Sequence, residues 1–170
     1  WLAIGVAAAS ALMEAMPNAV AVVQPGDHVL IEAFSENGLK VVENPLADEG
    51  MGASLAAGVN ATSGAGGWLI ALADMPWVLP ATITALADRV KNGASMVAPV
   101  YQGRRGHPVG FSSRWQEQLR GLSGDKGGRD LIANYPAELE LLKTADAAVF
   151  EDRVHPPDIN HGLVLYAVVD

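Results

Sequence analysis

The stretch Trp68-Leu69-Ile70-Ala71-Leu72-Ala73-Asp74-Met75-Pro76 decides the fold class. Residues 68–73 are apolar without alternation, so the strand they predict is buried on both faces. The run breaks at a carboxylate, Asp74, and then at Pro76, which cannot donate to a ladder. A doubly buried strand needs helices on both sides of its sheet. Helical stretches flank it in sequence. Residues 50–61 carry small and apolar side chains at helical spacing. Pro80 opens a helix over 81–91 that Asn92-Gly93 closes.

The same alternation continues outward. Residues 2–16, rich in Ala, Leu and Met, read as a helix ending before Pro17, and 19–23 as a short apolar strand that stops at Gln24-Pro25-Gly26-Asp27. Asp27 can cap a helix over 28–35, and 40–43 is a further strand. Downstream, 95–100 is a second buried strand, 101–105 a turn, and 108–111 a strand expected to pair antiparallel with what precedes it. Helices over 114–122 and 128–134 and a strand over 139–142 follow. Strands separated by helices predict an α/β domain: a Rossmann-like, mostly parallel sheet with helices on both faces. No linker or repeat interrupts it, so residues 1–170 read as a single domain.

Composition narrows the chemistry. The chain has 170 residues, half of them apolar and 18% charged, which argues against disorder. It has no cysteine, which excludes disulfides, thiolate metal sites and cysteine nucleophiles. A net charge of −8 repels a phosphate backbone, so nucleic acid is not an expected partner. No apolar run reaches the length of a membrane span, and no secretory leader is visible. His28, His155 and His161 show no zinc-ligand spacing, and no Gly-x-Ser-x-Gly elbow is present.

Ligands of open α/β sheets bind outside the carboxyl ends of the strands. Four segments lie there. Asp74 can hold a hard cation such as Mg²⁺ whose other oxygens come from phosphates, or it can cap the turn before Pro76. In Asn44-Pro45-Leu46-Ala47-Asp48-Glu49-Gly50-Met51-Gly52-Ala53-Ser54-Leu55, two glycines lead into a helix whose first N–H groups suit an anion or a base edge; a plain tight turn is the alternative. Arg104-Arg105-Gly106-His107-Pro108 offers two guanidiniums for phosphate and an imidazole for substrate contact or proton transfer, or else a solvated turn. Gly124-Asp125-Lys126-Gly127-Gly128-Arg129 holds an anion or, the favoured reading, caps a helix.

The succession Asn44-Pro45, Glu49-Gly50-Met51-Gly52-Ala53-Ser54-Leu55, Leu72-Ala73-Asp74-Met75-Pro76 and Gly103-Arg104-Arg105-Gly106-His107-Pro108-Val109 resembles the molybdenum cofactor cytidylyltransferases, within the molybdopterin nucleotidyltransferases. The stretch 124–129 and Asp158-Ile159-Asn160 extend the resemblance over nearly the whole chain. It implies the nucleotide-diphospho-sugar transferase type of fold and transfer of CMP from CTP to the phosphate of a molybdopterin-type cofactor, with release of pyrophosphate. By the same resemblance Asp74 and Asn160 would ligate Mg²⁺. Gly50, Met51, Gly52 and Ser54 would lie at the nucleotide. Arg104, Arg105 and His107 would line the entry of the pterin phosphate, with Asp74 and His107 counted as catalytic. A molybdoenzyme or its chaperone is a further implied partner, and the cytoplasm the expected location.

Two departures from that family shape the expectations. Its opening strand and glycine-rich loop have no counterpart before the first helix. That implies a sheet lacking its first strand, with an exposed edge or a gap, and no turnover by these 170 residues. After Asn160 the segment His161-Gly162-Leu163-Val164-Leu165-Tyr166-Ala167-Val168-Val169-Asp170 departs from the family pattern and reads as an extra strand or an altered end. Two other functions stay open. One is a guanylyl or sugar-phosphate nucleotidyltransferase of the same fold, and the other a non-catalytic module that binds the cofactor or a partner.

Overall fold

The computed structural model describes residues 2–124, 127–150 and 163–170. Helix α1 (Leu2–Ala15) precedes strand β1 (Ala19–Val23), α2 (His28–Glu36) precedes β2 (Lys40–Glu43), α3 (Met51–Ala61) precedes β3 (Gly67–Ala71), and α4 (Pro80–Lys91) precedes β4 (Met96–Tyr101). Then come β5 (Arg104–Arg105), β6 (Val109–Ser112), α5 (Gln116–Arg120), α6 (Gly128–Asn134), β7 (Leu139–Lys143) and β8 (Val164–Val169). The eight strands form one sheet in the order β2-β1-β8-β3-β6-β4, with β5 and β7 also paired to β4.

Side-chain alternation divides the buried residues into two cores, one on each face. Ala19, Ala21 and Val23 of β1 join Leu69, Val97, Leu165, Ala167 and Val169 under α1, α2 and α4. Val20 and Val22 join Trp68, Ile70, Met96, Val164 and Tyr166 under α3, α5 and α6. Helices therefore cover both faces, as the doubly buried strand required. The expected elements form with shifts of one or two residues at most ends. Two differences are larger. The helix expected over 114–122 is a 3-10 turn followed by the short α5. Within the expected turn at 101–105, Arg104 and Arg105 form a strand that folds back on β4.

The expected gap in the sheet is not there. Strand β8 pairs antiparallel with β1 on one side and with β3 on the other. Of the two readings of residues 161–170, the extra strand is the one that forms. The physical reason lies in its pattern. Alternate residues of Val164–Val169 feed the two cores, and a slot between two strands satisfies its backbone on both edges. Each large side chain buried in this way contributes roughly 1.5–3 kcal/mol.

Tyr166 fixes the register. Its hydroxyl donates to the Gly58 carbonyl of α3 at 2.8 Å, and burial pushes its pKa up to about 12. Gly58 is without a side chain because a Cβ there would lie 2.6 Å from Cε1 of that ring.

Strands β1, β2, β3, β4 and β7 run one way, and β8, β6 and β5 the other. The strands anticipated in the α/β alternation are thus mutually parallel. Strand β6 pairs antiparallel with β3 and β4, as expected, and β8 is likewise interleaved. The sheet as built is mixed. Among the described residues, no helix is long and apolar enough to cross a membrane.

Candidate active site

The parallel strands end on a common edge, and three of the candidate segments follow β2, β3 and β4, while the 124–129 segment follows α5. The segment after β2 is held by Asn44. Its backbone N–H donates to the Val23 carbonyl at 2.8 Å, which ties the loop to the end of β1. Its side chain accepts from the Leu46 N–H at 3.0 Å and donates to Ser54 Oγ at 3.1 Å. Asn44 and Ser54 are both buried, so this pair fixes the loop to α3 from inside. Gly50 then turns the chain into α3 at φ 117°, a backbone angle that favours glycine.

The N–H groups at the start of α3 are not all open to a ligand. The Gly52 N–H donates to the Gly124 carbonyl at 2.8 Å. The Gly124 carbonyl therefore caps α3, whereas Gly127 at the N-cap of α6 has no side chain to cap that helix. Met51 is exposed beside this junction.

Asp74 follows β3 and is buried, with 7% of the residue exposed. Its neighbours Leu72 and Met75 line a small apolar pocket together with Ala8, Ala11 and Leu12 of α1 and with His107 and Pro108. The segment that carries Asp74 and the turn that carries His107 therefore meet on one edge of the sheet.

That turn is anchored by two backbone bonds, from Gly106 N–H to the Pro99 carbonyl at 2.8 Å and from His107 N–H to the Val149 carbonyl at 3.2 Å. The Arg104 guanidinium lies over the Phe150 ring, 4.7 Å from its centroid. Arg104 and Arg105 are exposed, while His107 is half-buried. Burial pushes the His107 pKa below 6.5, and the positive charges of Arg105 and Arg129 push it the same way. The imidazole is thus held neutral near pH 7, able to accept or donate one hydrogen bond at each nitrogen.

Asn160, with Asp158, Ile159, His155 and His161, lies outside the described residues. Sequence reasoning placed Asn44 in a candidate segment without a role of its own and did not single out Asp146. Asn44 could have been found from the Asn-Pro pair at a strand end, which favours side chain-to-backbone turns. Asp146 carries no local signal of its tertiary role. Its carboxylate accepts from the Leu79 N–H at 3.0 Å, from Thr82 Oγ1 at 2.8 Å and from the Ala148 N–H at 3.1 Å. It therefore caps the start of α4 from the far end of the chain.

Residues 4–140 match the MobA-like NTP transferase domain. The chain belongs to this family. A MobA-like NTP transferase is a nucleotidyltransferase, and its substrate is a nucleoside triphosphate. Solved structures share the fold. The crystal structure of Rv0371c from Mycobacterium tuberculosis H37Rv has 24% identity and a TM-score of 0.71, covering 92% of this chain and 78% of that one. A second structure of Rv0371c, in complex with manganese, has 22% identity and a TM-score of 0.67, covering 92% and 80%. A nucleotidyl transferase from Methanothermobacter, Mth528, has 21% identity and a TM-score of 0.70, covering 94% and 75%. A search of curated proteins finds no match.

The donor set at this MobA-like edge suits one kind of metal. Among the described residues, no group of three or more His, Asp or Glu side chains could cage an ion. A single buried carboxylate such as Asp74 suits a hard cation whose remaining oxygen ligands come from phosphates and water.

Proposed function

We propose that this MobA-like domain transfers CMP from CTP to the phosphate of a molybdopterin-type cofactor, with Mg²⁺ as the metal. The observation that supports the reading is that Leu72 and Met75, on either side of Asp74, line one pocket with His107 and Pro108, which follow the arginine pair. The order of sequence motifs supports the cytidylyl form over its relatives. The manganese complex of Rv0371c supports a divalent ion at such a site. A triphosphate substrate and a pterin acceptor point to the cytoplasm, and a molybdoenzyme or its chaperone would receive the product.

In this reaction an oxygen of the acceptor phosphate attacks the α-phosphorus of CTP. The new phosphorus–oxygen bond forms as the bond to the β-phosphate breaks, and pyrophosphate leaves with the electron pair. Asp74 and, by the family resemblance, Asn160 would hold the metal, which would supply positive charge against the phosphate oxygens. The chain's own groups mainly align the reactants. The loop from Gly50 through Met51 and Gly52 to Ser54 sets the nucleotide's place. The Asn44–Ser54 hydrogen bond keeps that loop in register. Arg104 and Arg105 receive the incoming phosphate, and the neutral His107 hydrogen-bonds to it without adding a charge.

Differential stabilisation by nucleotide tests the reading. A ligand at 100 times its Kd stabilises a native protein by about 2.7 kcal/mol. With Mg²⁺ present, CTP is expected to raise the thermal midpoint more than GTP does. A larger rise with GTP would move the assignment to guanylyl transfer.

A further inference from the structure

We propose that residues 144–150 form a strap that sets the spacing between the two halves of the candidate site, with Asp146 as its positioning residue. The inference deepens the proposed transfer reaction and rests on it. The strap leaves β7 at the carboxyl edge of the sheet, where the Thr144 N–H donates to the Val100 carbonyl of β4 at 2.9 Å. One part of it holds the loop that carries Asp74. That loop leaves β3 after Ala71 and ends at Leu79, where α4 begins. Leu79 occupies the N-cap position, and its side chain cannot accept a hydrogen bond, so α4 has no cap of its own. The cap comes from Asp146, 67 residues further on. One carboxylate oxygen accepts from the Leu79 N–H at 3.0 Å and from the Thr82 hydroxyl at 2.8 Å, and the other from the Ala148 N–H at 3.1 Å. Asp146 and Thr82 are both buried, so displacing the carboxylate leaves the hydroxyl without its acceptor.

The next residues hold the arginine–histidine turn. The Val149 carbonyl accepts from the His107 N–H at 3.2 Å. Gly106 lies directly on the same residue, where a Cβ would stand 2.9 Å from Cβ of Val149. The Phe150 ring lies under the Arg104 guanidinium, its centroid 4.7 Å away, and packs on Tyr101 at the end of β4, with ring centroids 6.4 Å apart.

The two anchors, Asp146 and Val149, are joined by the 3-10 turn Ala147–Val149. Asp146 closes that turn itself by bonding two residues ahead, to the Ala148 N–H. A displacement of Asp146 is therefore passed to Val149 through one closed turn. Between the anchors, Met75 and Val78 of the Asp74 loop line one pocket with His107 and Pro108. The strap thus holds both walls of that pocket from a single segment. A reaction carried by alignment is sensitive to such spacing, since a misplacement of about 1 Å can cost about 100-fold in rate.

Three variants of the full chain separate a strap from a plain helix cap. Asp146→Asn replaces the carboxylate. Thr82→Val removes the hydroxyl that Asp146 accepts from while keeping the shape of the side chain, and Thr82→Ser keeps the hydroxyl. Amide resonances of the folded chain report its geometry whatever its stability. Those of Gly106 and His107, at the other end of the strap, are expected to move in Asp146→Asn and Thr82→Val and to return to the parent positions in Thr82→Ser. Calorimetric titration with CTP and Mg²⁺ should show affinity about tenfold weaker in Asp146→Asn, the size of a lost charge-assisted bond. The loss should be smaller in Thr82→Val and absent in Thr82→Ser. If Asp146→Asn does not fold, Thr82→Val, which keeps the carboxylate, carries both measurements. Movement confined to Leu79 and Thr82 reduces Asp146 to a helix cap and overturns the proposal. Parent affinity for CTP in variants whose His107 resonance has moved overturns it as well. Failure of the parent to bind CTP refutes the transfer reading instead, and the resonances of Gly106 and His107 then still decide whether the strap couples the two halves.

Discussion

Replacing Gly58 by alanine tests whether β8 sits where the sheet places it. The added Cβ would lie 2.6 Å from Cε1 of Tyr166, 3.0 Å from its Cζ and 3.1 Å from Cγ2 of Val22. The obstructed ring is 1% exposed, and its hydroxyl is held to the Gly58 carbonyl, so it cannot swing aside. Overpacking of this kind costs about 1–3 kcal/mol. If the ring shifts, the buried hydroxyl loses its partner at a further cost of about 1–3 kcal/mol. Against this, alanine gains up to about 1 kcal/mol over glycine in a helix interior. The expected net change is a loss of roughly 2–3 kcal/mol. Urea unfolding followed by circular dichroism should show a lower midpoint at unchanged slope. In a Tyr166→Leu background the same substitution should be neutral or stabilising, giving a coupling of about 2–3 kcal/mol. A stabilising Gly58→Ala in the parent chain would refute the packing of β8 beneath α3.

Three other predictions follow from the site and its supports. Asp146→Ala should lower stability by about 2–3 kcal/mol in thermal unfolding, because it uncaps α4 and strands the Thr82 hydroxyl; a loss below about 0.5 kcal/mol would contradict the capping role. His107 should titrate below 6.5 by NMR. Its folded pKa is the lower one, so its contribution to stability is complete above pH 6.5. That contribution falls as pH drops, since the unfolded chain then binds the extra proton. His107→Gln should flatten that acid limb, and titration of His107 above 6.5 would count against the burial and charge argument. Asp74→Asn should abolish the Mg²⁺-dependent part of CTP stabilisation while leaving the ligand-free midpoint within about 1 kcal/mol of the parent; retention of the metal effect would remove Asp74 from the metal site.

Much of the fold is local and was legible for that reason. Residues 68–73 announce a strand buried on both faces because no polar side chain interrupts them before Asp74. Pro80 and Asn92-Gly93 mark the ends of α4 through backbone restrictions that act within a turn. Asp74 and the Arg104–His107 turn could be placed on one edge because parallel strands of an α/β sheet end together.

The partners that act across the chain left no such trace. Tyr166 meets Gly58, Asp146 caps α4, and Gly124 caps α3, over separations of 108, about 65 and 72 residues. Composition by itself determined an acidic, cysteine-free chain, and the alternation of strands and helices an α/β fold with Asp74 and the arginine pair after its strands. Tertiary structure alone decided that β8 enters the middle of the sheet antiparallel, between β1 and β3. Strand order and long-range charge depend on which surfaces bury each other. No periodicity within one segment records that choice.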